Sequence, residues 1–227
     1  MKNLIMKYKH AWILSYFLIY IPWFVLLERH VTNNYTLVTI DFDKYIPFNE
    51  FFVIPYMLWF VYIAITITYL FLTNKTDYYK CCGFLFLGMT ICLLIYTIWP
   101  NGQNLRPTTF ARDNILVDAV KKIYSTDTAT NVCPSIHVFN SIGAHIAIAR
   151  NERLKKHRVL VTGSLLLAIM ISLSTVFLKQ HSAFDGICSI FLSIFCYLII
   201  YKIDYTKLGA YVKQKKQKKE LGANYRL

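Results

Sequence analysis

The sequence predicts an all-α protein, a bundle of six transmembrane helices that forms one domain over residues 1–227. Three observations predict it. The chain is 56% hydrophobic with a mean hydropathy of +0.41, and its apolar residues fall in long blocks. Six of those blocks approach the roughly twenty residues that a helix needs to cross the hydrocarbon of a bilayer. The charged residues, which sum to +13, gather between the blocks. A strongly basic chain is often a nucleic-acid binder, but apolar blocks of this length leave no soluble domain for that role, and no nucleic-acid partner is expected.

The first span covers about 10–27, after Lys2, Lys7 and Lys9. A basic start before an apolar run resembles a secretion signal, but no small-residue cleavage pattern follows, so an uncleaved first helix is expected. Residues 28–50 mix Asp41, Asp43 and Lys44 with aromatics and read as an interfacial loop or a short amphipathic helix. Spans at about 51–73 and 81–99 follow, joined by a 74–80 turn that holds Lys75 and Lys80. The longest connection runs from Pro100 to Pro134. Within it Ile115, Leu116, Ala119, Val120 and Ile123 recur at helical spacing, which predicts a helix lying along the surface.

The fourth span, 135–149, is short and carries His137, Asn140 and His145; the fifth and sixth cover about 159–178 and 184–203. Lysine and arginine fill the N-terminus, the 150–158 connection and the 204–227 tail, three segments that six spans place on one side. The positive-inside rule makes that side cytoplasmic, termini included. The tail is then an ordinary topology determinant, and the tryptophans and tyrosines near span ends are an ordinary interfacial belt. The six cysteines show neither a disulfide framework nor zinc spacing, and no metal is expected.

One stretch departs from this plain pattern. Between the last two spans lies Ser174-Thr175-Val176-Phe177-Leu178-Lys179-Gln180-His181-Ser182-Ala183-Phe184-Asp185. Ionisable groups at the edge of the hydrocarbon are costly and mark functional candidates. His181 and Asp185 are four apart, on one face of a helix, so the carboxylate can hold one ring nitrogen and leave the other free. Two pieces of the long loop share that side of the membrane: Asn101 to Pro107, with Arg106, and Asn131 to His137, with Ser135 and His137. Histidines, cations, a hydroxyl and a carboxylate at one interface suit phosphoryl transfer, which needs positioning and charge stabilisation above all. Pro134-Ser135 also reads as a helix start, whose free N–H groups favour an anion.

Together these pieces resemble the type-2 phosphatidic acid phosphatase superfamily, whose signatures are Lys-x6-Arg-Pro, Pro-Ser-Gly-His and Ser-Arg-x5-His-x3-Asp. Arg106-Pro107 matches the end of the first, Pro134-Ser135-Ile136-His137 the second, and Ser174-Thr175 with His181 and Asp185 the third. The resemblance spans about residues 51–203. Three positions depart from it: Trp99 stands where the first lysine falls, Ile136 where glycine is usual, and Thr175 where arginine is usual. The Cys-Pro-Ser-x-His and Lys-Gln-His-x3-Asp forms look like the branch of inositol-phosphorylceramide synthases and their bacterial relatives.

The resemblance implies an active site at the outer membrane–water interface of a bacterial plasma membrane. It implies His181 as nucleophile, Asp185 as the group that orients it, and His137 as general acid and base. Arg106, the Ser135 hydroxyl, the Ile136 N–H and Lys179, as stand-in for a missing cation, would hold the phosphoryl oxygens. The expected partner is a lipid phosphate in the bilayer, with no cofactor. Hydrolysis is the first expectation and transfer to another alcohol the second; a transporter or scaffold that keeps the site as a binding pocket is the third. His145 is expected to be a hydrogen-bonded residue of the bundle, and Arg112 and Lys121–Lys122 a solvated face.

Overall fold

The computed structural model describes residues 6, 8–31 and 34–203. Lys2, Lys7 and the 204–227 tail lie outside the described residues. Seven helices follow in order: α1 (Lys9–His30), α2 (Val53–Thr73, entered through a 3-10 turn at Glu50–Phe52), α3 (Lys75–Ile98), α4 (Ile115–Thr126), α5 (Ile136–Arg150), α6 (Arg158–Phe177) and α7 (Ala183–Tyr197, continued by a π turn at Leu198–Lys202). Among the described residues, five helices are long and apolar enough to cross a membrane: α1, α2, α3, α6 and α7 with their flanking turns. This is an integral membrane protein by composition and length.

The fourth expected span is α5, and it falls short of a full crossing. Its 15 residues rise about 22 Å, against a hydrocarbon core of roughly 30 Å. Its position explains why a short, partly polar helix is tolerated. α5 packs against α2, α3, α6 and α7 together, so it is the axis of the bundle. Val138, Phe139, Asn140, Ser141, Gly143, Ala144 and Ala147 are all buried along it. A helix sheathed by other helices needs small residues for close approach more than it needs apolar length.

The seam between α3 and α5 shows that requirement. Phe84 of α3 and Phe139 of α5 stack at 4.8 Å, nearly parallel. Each ring lies over a glycine of the other helix. A Cβ at Gly88 would come within 1.9 Å of Phe139, and one at Gly143 within 2.6 Å of Phe84.

The 74–80 turn expected between the second and third spans is not a turn. Asn74 alone separates α2 from α3, and its side chain caps α3 by accepting from the Asp77 N–H at 3.1 Å. Lys75 and Lys80 therefore sit on the first turns of α3. A hydropathy window sees only the apolar part of such a helix, whereas a capping residue sets where it starts.

Over one end of the bundle, the 34–50 and 100–135 segments form a polar layer. Thr36–Leu37 (β1) pairs in parallel with Asn101–Gly102 (β2), and Gly102 bridges to Thr130. The surface helix α4 is present. It is capped by Asn114, buries Val117, and packs Val120 against Val53, Tyr56 and Leu178, while Ile115 stays exposed.

The glycine seam makes a direct prediction. Gly88→Ala should lower stability by about 1–3 kcal/mol, the usual cost of overpacking a filled core, read as a lower melting temperature in detergent. Gly163→Ala, where nothing lies within 4 Å of the added carbon, should leave the melting temperature unchanged or raise it.

Candidate active site

The connection between α6 and α7 is short, buried and tied down at every residue. Gln180 N and His181 N both donate to Thr175 O, which turns the chain back on the end of α6. Lys179 takes a left-handed backbone with φ of 54°, uncommon for a residue with a side chain. Gln103 of the long loop donates from Nε2 to Lys179 O at 2.9 Å. Asp43, 2% exposed, reaches in from the 40–46 loop. Its carboxylate accepts from Ser182 Oγ at 2.6 Å, Ala183 N at 2.8 Å and Ile40 N at 2.9 Å. That places a negative charge on the N-terminus of α7, where the helix dipole favours it.

Within this frame His181 and Asp185 meet as their spacing suggests. His181 Nδ1 lies 3.2 Å from Asp185 Oδ2 and 3.0 Å from Val132 O. Both neighbours are acceptors, so the network assigns the proton to Nδ1 and leaves Nε2 with its lone pair. Asp185 Oδ2 is held in turn by Ser182 N at 3.0 Å. The His137 ring lies 5.8 Å from the His181 ring, centre to centre. It rests against Tyr56 at 4.7 Å and Trp59 at 4.5 Å.

His137 stands in the first turn of α5, whose cap is Ser135. The Ser135 hydroxyl is fully buried and accepts from Val138 N, and Ser189 Oγ and Tyr96 OH hold the Ser135 and Pro134 carbonyls. Asn101 fixes the approach to the helix, accepting from Val132 N at 3.0 Å and Cys133 N at 2.8 Å. The α5 start and the 179–185 turn thereby share one wall of a cavity of about 490 Å³. His137, His181, Ile136 and Gln180 line it, together with aromatic rings of α1, α2 and α3.

The phosphate-holding set expected from sequence is only partly assembled here. Lys179 turns away from the cavity. Its ammonium donates to Asp43 O at 2.9 Å and to Ile46 O, so its charge clamps the 40–46 loop and does not face His181. Burial lowers its pKa, partly offset by the Asp43 charge. The expectation that Lys179 stands in for a missing cation is therefore corrected: a long side chain leaving a left-handed residue found carbonyls on the other side. Ser135 is also occupied, as a cap, and does not line the cavity.

Arg106 lies behind Gln180. It donates to Gln180 Oε1, to Thr128 O at 2.8 Å and to Tyr124 O at 3.2 Å, and it stacks over the Tyr124 ring. Burial lowers its pKa, but a guanidinium stays charged, and its Nε–H is buried with no partner. Two of the three departures from the expected pattern, Trp99 and Thr175, are structural pieces. Trp99 donates to Thr36 Oγ1, and buried Thr175 donates to Ser172 O.

Several residues of the site carried no signal in the sequence. Asp43 sits in an Asp-Phe-Asp-Lys run of the interfacial 28–50 segment, and Gln103 and Asn101 lie in the marked 101–107 piece with no role assigned to them. Trp59, assigned to the interfacial belt, lies against His137. Lys122, assigned to a solvated face, is exposed but lines the cavity. Arg112 pairs with Glu50 at 3.0 Å. His145 hydrogen-bonds Ser164 Oγ at 2.8 Å inside the bundle, as expected.

Asp43→Ala removes three acceptor contacts from the buried turn. It should cost on the order of 3 kcal/mol, the range for bonds to a charged group whose partners are left buried. Thermal unfolding in detergent checks this. Asp41→Ala, an exposed neighbour, should be silent.

Neither a curated protein nor a solved structure matches the chain. The family model of the PAP2 superfamily, however, matches residues 83–208, more than half of the chain, and that interval holds Arg106, His137, His181 and Asp185. The chain belongs to the PAP2 superfamily, whose members are phosphatases or related phosphotransferases.

Proposed function

We propose that this protein is an integral-membrane phosphatase that removes phosphate from a lipid phosphate through a phosphohistidine intermediate. The observation that carries the reading is the bond from His181 Nδ1 to Asp185, with His137 across the same cavity. With Nδ1 protonated and held, Nε2 is the nucleophile, and it attacks phosphorus as the ester oxygen leaves. His137 gives the leaving oxygen its proton, then takes one from the water that releases phosphate. Asp185 keeps the tautomer and stabilises the charged ring.

The oxygens of the transferring group meet the free N–H groups of Ile136 and His137 at the start of α5, a 15-residue helix. Arg106 adds positive charge from behind Gln180, and its Nε–H, buried without a partner, is a further donor for that task. Lys179 serves instead as a positioning residue that locks the turn. These groups supply the charge stabilisation, so the reaction proceeds without a metal. A cavity walled by apolar helices at the polar end of the bundle suits a substrate with its tail in the bilayer. The site faces the extracytoplasmic side of a bacterial plasma membrane, opposite the basic segments. Transfer to a second alcohol, as in the inositol-phosphorylceramide-synthase branch, uses the same residues with an alcohol in place of water.

A panel of lipid phosphates offered to detergent-purified protein tests the reading. Phosphate release should survive chelators, and His181→Ala and His137→Ala should each lower the rate by a hundredfold or more. Full activity in His181→Ala, or dependence on magnesium, contradicts it. For orientation, a cysteine at exposed Ile115 should react with an impermeant thiol reagent on intact cells and one at Lys156 should not. Native Cys133 is 2% exposed and should stay silent.

A further inference from the structure

The cavity beside the two histidines carries a second chemistry that phosphoryl transfer leaves unused. Its far side is built from Glu28 at the end of α1 and from Asp127, Thr130 and Asn131 after α4. Glu28 accepts from Thr128 N at 3.2 Å, from Thr128 Oγ1, and from Asn131 Nδ2 at 2.9 Å. Asp127 accepts from Tyr56 OH at 3.2 Å. Among the described residues neither carboxylate forms an ion pair, and Arg106, in the field of both, is bonded to neutral oxygens. Lys122, the only lysine or arginine in the lining, is exposed and pairs with neither.

Asn131 gives an independent sign of a missing partner. It is 6% exposed, and its amide nitrogen is committed to Glu28, which fixes which end of the amide is which. The other end, Oδ1, is buried without a hydrogen-bond partner, a costly state for a native polar atom. Two carboxylates and an orphan carbonyl are all acceptors. Burial first, and then the Glu28 charge, push the Asp127 carboxyl above its usual range, against the opposing charges of His181 and Arg106 and the Tyr56 hydrogen bond. The remaining walls include the rings of Tyr20, Phe24, Trp59 and Phe60, whose faces attract cations.

We propose that this cavity recognises a phosphoester whose organic part carries an ammonium group, seated among Glu28, Asp127 and Asn131 while the phosphate meets His181. The phosphate end of this assignment rests on the reading above. An ammonium supplies both things the wall lacks, an N–H donor for the orphan Asn131 carbonyl and positive charge for two carboxylates. A neutral polyol would satisfy the acceptors and leave the charge uncompensated. A metal ion is disfavoured by the ligand set: among the described residues no group of three His, Cys, Asp or Glu side chains is gathered to hold one. The ammonium belongs either to a head group or to a long-chain amino alcohol, since both place it near the phosphate.

The test is calorimetric binding to the full chain in detergent, which needs no turnover and is therefore independent of whether the protein hydrolyses anything. O-phosphoethanolamine should bind about tenfold more tightly than ethyl phosphate, in line with a desolvated cation on carboxylates and aromatic faces. Asp127→Asn, which keeps the Tyr56 bond, should remove most of that difference, and so should Glu28→Gln. If Glu28→Gln fails to fold, Asp127→Asn alone decides. Turnover of a long-chain amino-alcohol phosphate and of a phosphodiester lipid with an aminoethyl head group, each against its amine-free counterpart, then locates the ammonium. Preference for either amine supports the assignment. Equal binding of the two small phosphates, or a preference that survives both substitutions, overturns it.

Discussion

The bond between His181 Nδ1 and Asp185 is the interaction that the polar end of this molecule is arranged around. It is made in a buried turn between two apolar helices, where an unsatisfied polar group is expensive. Each group near it is therefore held by another. Ser182 N and Val132 O complete the pair, Asn101 fixes Val132, Asp43 caps the helix that carries Asp185, and Lys179 ties the loop that carries Asp43. Apart from the local Ser182 bond, the ties reach across long stretches of chain: Lys179 and Asp43 are 136 positions apart, and His181 and Val132 are 49. Together these ties hold one ring nitrogen in one direction.

The second constraint comes from below. α5 must bring His137 to the same cavity from the middle of the bundle, so four helices close around it and its surface is small or polar where they approach. The stacked Phe84–Phe139 pair over two glycines sets the distance between α3 and α5. Packing inside the bundle and geometry at its end are thus one problem: a shift of α5 along its axis would move His137 relative to His181.

Much of this was legible in the sequence because its signals are local. Apolar block length located five of the six expected spans, and the i, i+4 spacing of His181 and Asp185 predicted their contact. Helix start signals at Pro134-Ser135 placed His137 in a first turn. What stayed hidden depends on long-range contact. Lys179 looked like a phosphate ligand because its position two residues before His181 admits that direction; the left-handed backbone and the carbonyls of Asp43 and Ile46 chose the other. Asp43 itself could not be told from exposed Asp41 in the same run. The start of α3 was missed because Asn74 caps a helix whose first turns are charged, and Trp59 because an aromatic at an interface reads the same whether it faces lipid or a histidine.

The central claim is that His181 Nε2 forms a bond to phosphorus, and it can be measured directly. Rapid quenching without acid during turnover of a labelled lipid phosphate, followed by peptide mapping, should find acid-labile, base-stable phosphate on the peptide that contains His181. Label on no residue at steady state in a protein that turns over, with His137→Ala failing to trap it, or label on His137 with His181 unmodified, would contradict the account.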